Sequence, residues 1–218
     1  MSTLARTWRI VFGLIGWATL ATQYWLVVVT GPTTSVLGST IVFFSYFTLL
    51  TNILVALALT LPVAIPHTTI GRWFEGAGNR AAVAMYIAVV GIIYHLFLHA
   101  TWSPQGLSFV TNVSLHYVMP IAFVLDWLLF VPKGRLGWRD PIRWLAYPLI
   151  YGGWTLVHGA LIDWYPYWFI DVAALGVGPA LRNFGLLLIF FLILGFGVLA
   201  VDRALGHRDR GDRIAPAA

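Results

Sequence analysis

Six apolar stretches, at residues 8–29, 38–61, 80–100, 110–131, 142–161 and 181–201, divide this chain, and short polar connections join them. Each is close to the ~20 residues that carry a helix across the hydrocarbon of a bilayer. The pattern predicts an all-α polytopic membrane protein, a six-transmembrane-helix bundle over residues 1–205, with a disordered cytoplasmic tail over 206–218. Composition agrees: of 218 residues 60% are hydrophobic and 10% charged, outside the usual range of soluble domains. No internal repeat, linker or soluble domain is visible.

The basic residues report orientation. Arg6 and Arg9 precede the first stretch, Arg72 and Arg80 flank the second connection, Lys133, Arg135, Arg139 and Arg143 fill the fourth, and Arg203, Arg208, Arg210 and Arg213 come after the sixth. The first, third and fifth connections hold no basic residue except Arg182, at the edge of the last stretch. By the positive-inside rule both termini are expected in the cytoplasm. The net charge of +5 therefore reflects topology, and no nucleic-acid partner is expected. The first stretch opens like a signal peptide, with Ala18 to Ala21 as a small-residue cleavage site. Its apolar run continues through Trp25 and Val29, which favours an uncleaved helix. The absence of cysteine removes disulfides, thiolate catalysis and thiolate-held metals.

Polar residues inside the stretches define a candidate site. At 100° per residue, Ser45, Thr48 and Asn52 fall within an arc of ~60° on the second helix. His95 and His99 are four apart on the third, and so are Asn112 and His116 on the fourth. Tyr147, Tyr151, Thr155 and His158 share about 80° of the fifth. Hydrocarbon satisfies none of these groups, so the four polar faces are expected to converge on one cavity. A rise of ~1.5 Å per residue sets His99 and His158 about one turn from the outer surface, His95 and His116 about 6 to 9 Å deep, and Thr48 near the midplane. Plain structural roles compete with this reading: a membrane threonine commonly bonds back to a carbonyl one turn earlier, here Phe44, and a membrane histidine often only joins helices. Asp126, at the cytoplasmic end of the fourth stretch, is expected to cap a helix or to pair with a basic residue of the fourth connection.

The segments SYFTLLTN, NVSLHYVMPIAFVLDWLLFVPKG and WLAYPLIYGGWTLVHGALIDWYPYWFID resemble a bacterial six-pass membrane family called Pr6Pr, over roughly residues 40 to 180. More distantly, the pattern is similar to the eukaryotic androgen-induced membrane proteins, intramembrane threonine hydrolases that cleave fatty acid esters of hydroxy fatty acids. Tyr46-Phe47-Thr48-Leu49 matches their nucleophile element, with Thr51 as the alternative register, and His116 ahead of Pro120 matches their essential histidine. The resemblance implies a lipid ester hydrolase in which Thr48 attacks the ester and His116 takes its proton, with no cofactor and no metal. Asn52, Tyr151, His95 or His99 then serve as donors to the oxyanion, and His158 orients another imidazole.

Two other functions fit the same residues. Four histidines at one level could hold zinc or haem, although few carboxylates lie near them. The cavity could also bind a small amphiphile without turnover, as a carrier or receptor, with the aromatic WYPYWFID loop as its lid.

Overall fold

The computed structural model describes residues 1–31 and 35–211, with side chains as far as Gly206. Among the described residues all regular structure is helical, and six units are long and apolar enough to cross a membrane: Thr3–Thr30, Phe47–Ala64, Ala77–Thr101, Gly106–Phe130, Asp140–Ile162 and Val177–Gly206. The first is one continuous helix, α1 (Thr3–Thr30), started by Ser2, whose hydroxyl accepts the Ala5 N–H. It passes through Ala18 to Ala21 without interruption.

The second stretch is not one helix. It is split into α2 (Val36–Ser45) and α3 (Phe47–Ala64) by Tyr46, which adopts an extended conformation. The short α4 (Thr69–Glu75), capped by Thr68, turns the chain into α5 (Ala77–Ile93). A π-helical turn, Tyr94–Leu98, and a 3-10 turn, His99–Thr101, finish that span. The fourth span has the same interruption: α6 (Gly106–Val113) passes through a π-helical turn, Ser114–Val118, into α7 (Met119–Phe130). The short α8 (Asp140–Trp144) leads into α9 (Ala146–Ile162), and a loop holding α10 (Val172–Leu175) returns the chain to α11 (Val177–Gly211). The tail expected to be disordered from Gly206 therefore begins as helix. Residues 212–218 lie outside the described residues.

Burial ranks the spans. More than half of α3 and of the span begun by α5 is buried, against about a fifth of the α1 and α11 spans, so α3 and α5 form the centre and α1 and α11 the flanks. Val55, Ala58, Leu59, Met85, Ile87, Met119 and Phe123 fill the core between them. A methyl group at Gly13 would stand 2.7 Å from Thr60 Cγ2, so glycine lets α1 lie close against α3. Leu14, Leu37, Ile121, Leu129, Ile150 and Leu161 face outward, an apolar exterior suited to lipid.

At the end of the bundle where α1 begins, charges are buried and paired. Asp126 is fully buried between Arg9, whose Nε lies 3.0 Å from Oδ1, and Arg80, whose Nη2 contacts Oδ2. Arg9 also reaches Glu75 at 2.6 Å, and Arg80 donates to the Ala58 carbonyl and lies over the Phe123 ring. Asp126 thus pairs with arginines of the first and third spans and not with the fourth connection. Two guanidiniums already meet its two oxygens, and Lys133 instead donates to the carbonyls of Trp127 and Val131 where α7 ends.

Candidate functional site

At the opposite end a cavity of about 420 Å³ opens among α1, α3, the two π-turns and the Trp164–Tyr167 loop, a volume typical of small-molecule sites. Its rim carries Gly31, Thr101, Trp102 and Pro166; deeper in lie Thr48, Leu49, Leu115 and His116. Gln23, Thr30, Tyr94, Ser108, Asn112 and Tyr167 add polar groups to a mixed lining whose apolar part includes Leu26, Val27, Val42 and Leu98.

The backbone here is held open by side chains distant in sequence. Breaking a helix at Tyr46 strands carbonyls at the end of α2 and N–H groups at the start of α3, which hydrocarbon leaves unsatisfied. The Tyr151 hydroxyl donates to the Ser45 carbonyl at 2.8 Å, and the Tyr167 hydroxyl accepts the Thr48 N–H at 3.4 Å. The Tyr46 ring packs edge-on against Trp164 and Tyr167. Thr48 consequently sits in the first turn of α3, where the helix dipole favours negative charge. Burial above all pushes the Tyr167 phenol up to about 12, so it remains a neutral hydroxyl beside Thr48.

The π-turn below His116 has a local cause. Pro120 has no N–H to give to the carbonyl four residues back, which belongs to His116, and its ring would crowd that carbonyl in an α-helix. The turn widens, and the Met119 N–H bonds to the Ser114 carbonyl. Gly91 accommodates the displaced backbone: a Cβ there would lie 3.1 Å from the His116 oxygen. The imidazole stacks on Tyr94, with centroids 3.8 Å apart and planes 19° apart, and its Nδ1 lies 2.9 Å from the Asn112 carbonyl. A carbonyl only accepts, so Nδ1 carries the proton and Nε2 keeps the lone pair. Asn112 donates to the Tyr94 hydroxyl at 2.5 Å, and its buried Oδ1 has no partner among the described residues.

Of the residues expected at the site, Thr48, His116 and Asn112 line the cavity together. No hydrogen bond joins Thr48 to His116 or to Phe44 among the described residues. Thr51, the alternative register, is fully buried, with its hydroxyl 3.1 Å from that of Tyr147. Ser45 bonds back to Ile41, because the broken helix turns it away from Thr48. Asn52 lies beneath Thr48 and spends its amide N–H groups on the carbonyls of Thr48 and Leu115, so it has none for an oxyanion. Tyr151 is similarly committed to Ser45.

The other three histidines are elsewhere. His95 and His99 are exposed on the outside of the π-turn, 5.6 Å from each other, with His95 Nδ1 near the Tyr117 hydroxyl. The inserted residue of the turn brings Tyr94 to the cavity in their place. His158 is buried on α9 between Trp154 and Trp164. Among the described residues no three histidine or carboxylate side chains gather where they could hold one metal ion. Tyr167 is visible in the sequence only as one aromatic of the WYPYWFID loop, with no role of its own, and Gln23, which accepts from Thr111 at 2.7 Å, gives no signal.

No family model, curated protein or solved structure matches the chain.

Proposed function

We propose that the protein is an intramembrane lipid ester hydrolase with Thr48 as nucleophile and His116 as general base. The observation that carries the reading is the pairing, on one cavity, of a threonine at a helix N-terminus with a neutral imidazole whose Nδ1–H is tied to a carbonyl and whose Nε2 is basic. In the loaded site Nε2 takes the proton from Thr48 Oγ1 as that oxygen bonds to the ester carbonyl carbon. The tetrahedral oxyanion is stabilised by the N-terminus of α3 and by the Tyr167 hydroxyl. Collapse breaks the ester C–O bond, and the imidazolium returns the proton to the leaving alkoxide. Water, deprotonated by the same imidazole, then releases the acyl group from Thr48.

The resemblance to the androgen-induced hydrolases points to fatty acid esters of hydroxy fatty acids as the substrate class, and the apolar part of the lining suits acyl chains. The arginine distribution supports a multi-pass membrane protein with both termini in the cytoplasm, so that the cavity opens on the outer side, and the resemblance to a bacterial six-pass family points to a bacterial plasma membrane. A second reading, a carrier that binds an amphiphile unchanged, draws on the absence of a Thr48–His116 hydrogen bond; catalytic hydrogen bonds often form only once substrate is bound. Turnover decides between them. Purified wild-type protein is expected to hydrolyse a long-chain fatty acid ester, and Thr48→Ala and His116→Ala to lose that activity while still binding the ester. Undiminished hydrolysis by either variant, or binding by wild type without product, removes the catalytic reading.

A further inference from the structure

Two further pockets lie in series with the cavity, each sharing wall residues with the next. A narrow apolar passage of about 60 Å³ shares Thr48, Leu98 and Tyr167 with the cavity, and continues between Phe47, Val90 and Phe191. At its other end, Ile93, Phe169 and Leu187 belong both to the passage and to a groove of about 500 Å³ on the outer face, between the third span and α11. The groove runs from Arg182 to Phe190, about 12 Å along α11. Leu96, Phe97, Leu186 and Trp168 make it apolar.

Arg182 and Asn183 are the polar members of that lining, and Arg182 is the charged one. It is exposed, its guanidinium bonds only to the Asn183 Oδ1 at 3.4 Å, and no carboxylate pairs with it among the described residues. Asn183 in turn donates to the Phe169 carbonyl, so the cation is tethered to the loop that closes the passage. An unpaired guanidinium at the head of an apolar groove is complementary to one kind of molecule, an acyl chain ending in an anion. A bore as small as the passage takes one chain at a time, and one guanidinium matches one carboxylate.

We propose that the groove between the third span and α11 is a lateral binding site for a single-chain fatty carboxylate. Arg182 holds the carboxylate at the surface, and the chain runs along the groove into the passage that ends at Thr48. The binding stands on the groove and on Arg182; only the fate of a bound ester at the inner end rests on the hydrolase reading. Arg182 then becomes the residue that selects for a charged chain end.

The test uses full-length protein in uncharged detergent and a palmitate analogue with a photoreactive diazirine near its methyl end, with adducts mapped by mass spectrometry. Adducts are expected at the inner end of the groove and in the passage, at residues such as Phe190, Val90 and Phe191. Arg182→Gln is expected to raise the half-saturating concentration about ten-fold, the loss of one charge-assisted contact, while Arg203→Gln, at the far end of α11, stays within about two-fold. Unlabelled palmitate is expected to displace the probe, and methyl palmitate and phosphatidylglycerol not to. The palmitate probe carries no ester, so its binding is read independently of turnover, and a failure of catalysis and a failure of this site are told apart. Adducts confined to other faces in the wild type overturn the proposal, as does unchanged affinity in Arg182→Gln. Displacement by phosphatidylglycerol as effective as by palmitate overturns the carboxylate assignment.

Discussion

The two ends of the bundle handle buried polarity in opposite ways. Where α1 begins, Arg9, Arg80, Asp126 and Glu75 form a compact network in which both oxygens of Asp126 meet a guanidinium and only Arg80 Nε is buried without a partner among the described residues. At the other end a helix is broken, two spans relax into π-turns, and the Oδ1 atoms of Asn52 and of Asn112, on the cavity wall, are buried without partners among the described residues. The first arrangement fixes helices together. The second leaves groups that a ligand or water satisfies, as a binding site requires. Three interruptions of regular helix, at Tyr46, Tyr94–Leu98 and Ser114–Val118, meet around one cavity, and such irregular backbone concentrates where a protein acts.

Substitutions can break or sharpen this contrast. The largest effect is expected from Asp126→Asn, which leaves two buried guanidiniums to share the half-exposed carboxylate of Glu75; a loss of about 3 kcal/mol should appear as a strongly lowered melting temperature in detergent. Ester turnover by the fraction that remains folded should persist, because the network lies at the far end from Thr48. Tyr151→Phe comes next. It removes the donor to the Ser45 carbonyl at the helix break, a loss of about 1–3 kcal/mol by thermal unfolding, and turnover should fall with it because the start of α3 is no longer held. Tyr167→Phe is expected to move stability by only about 1 kcal/mol, since its partner N–H is at 3.4 Å, yet to slow ester hydrolysis about ten-fold through the lost hydroxyl. The smallest effect belongs to Arg143→Gln, whose exposed pair with Asp140 should contribute less than about 0.5 kcal/mol. A reversal, with Asp126→Asn harmless to folding or Tyr167→Phe harmless to turnover, would erase the division between a stabilising and a functional end.

Much of this architecture is legible in the sequence because hydropathy over about twenty residues is a strong signal, and six spans emerge from it. The face of each span is legible only while the helix stays regular. Placing His95 and His99 at the cavity assumes 100° per residue through Tyr94; one extra residue in a π-turn rotates the rest of the helix by about that angle, and Tyr94 takes the inward position. The turn at Ser114–Val118 has a visible cause in Pro120, whereas no proline or glycine marks the break at Tyr46. That break depends on Tyr151 and Tyr167, more than a hundred residues away, and no local pattern reports them. Asp126 pairs with Arg9 and Arg80 for a related reason: partners are chosen by packing across spans, whereas sequence proximity favours the fourth connection. Thr48 and His116 are found because each combines a polar group with a position deep in an apolar span, a property that survives local changes of register.

The most direct test of the central claim is covalent. Wild-type protein treated with a fluorophosphonate, which reacts with activated hydroxyls, is digested and the modified residue located by mass spectrometry. The account predicts an adduct on Thr48 that is lost in His116→Ala. An adduct on another residue, or undiminished labelling of Thr48→Ala, would contradict it.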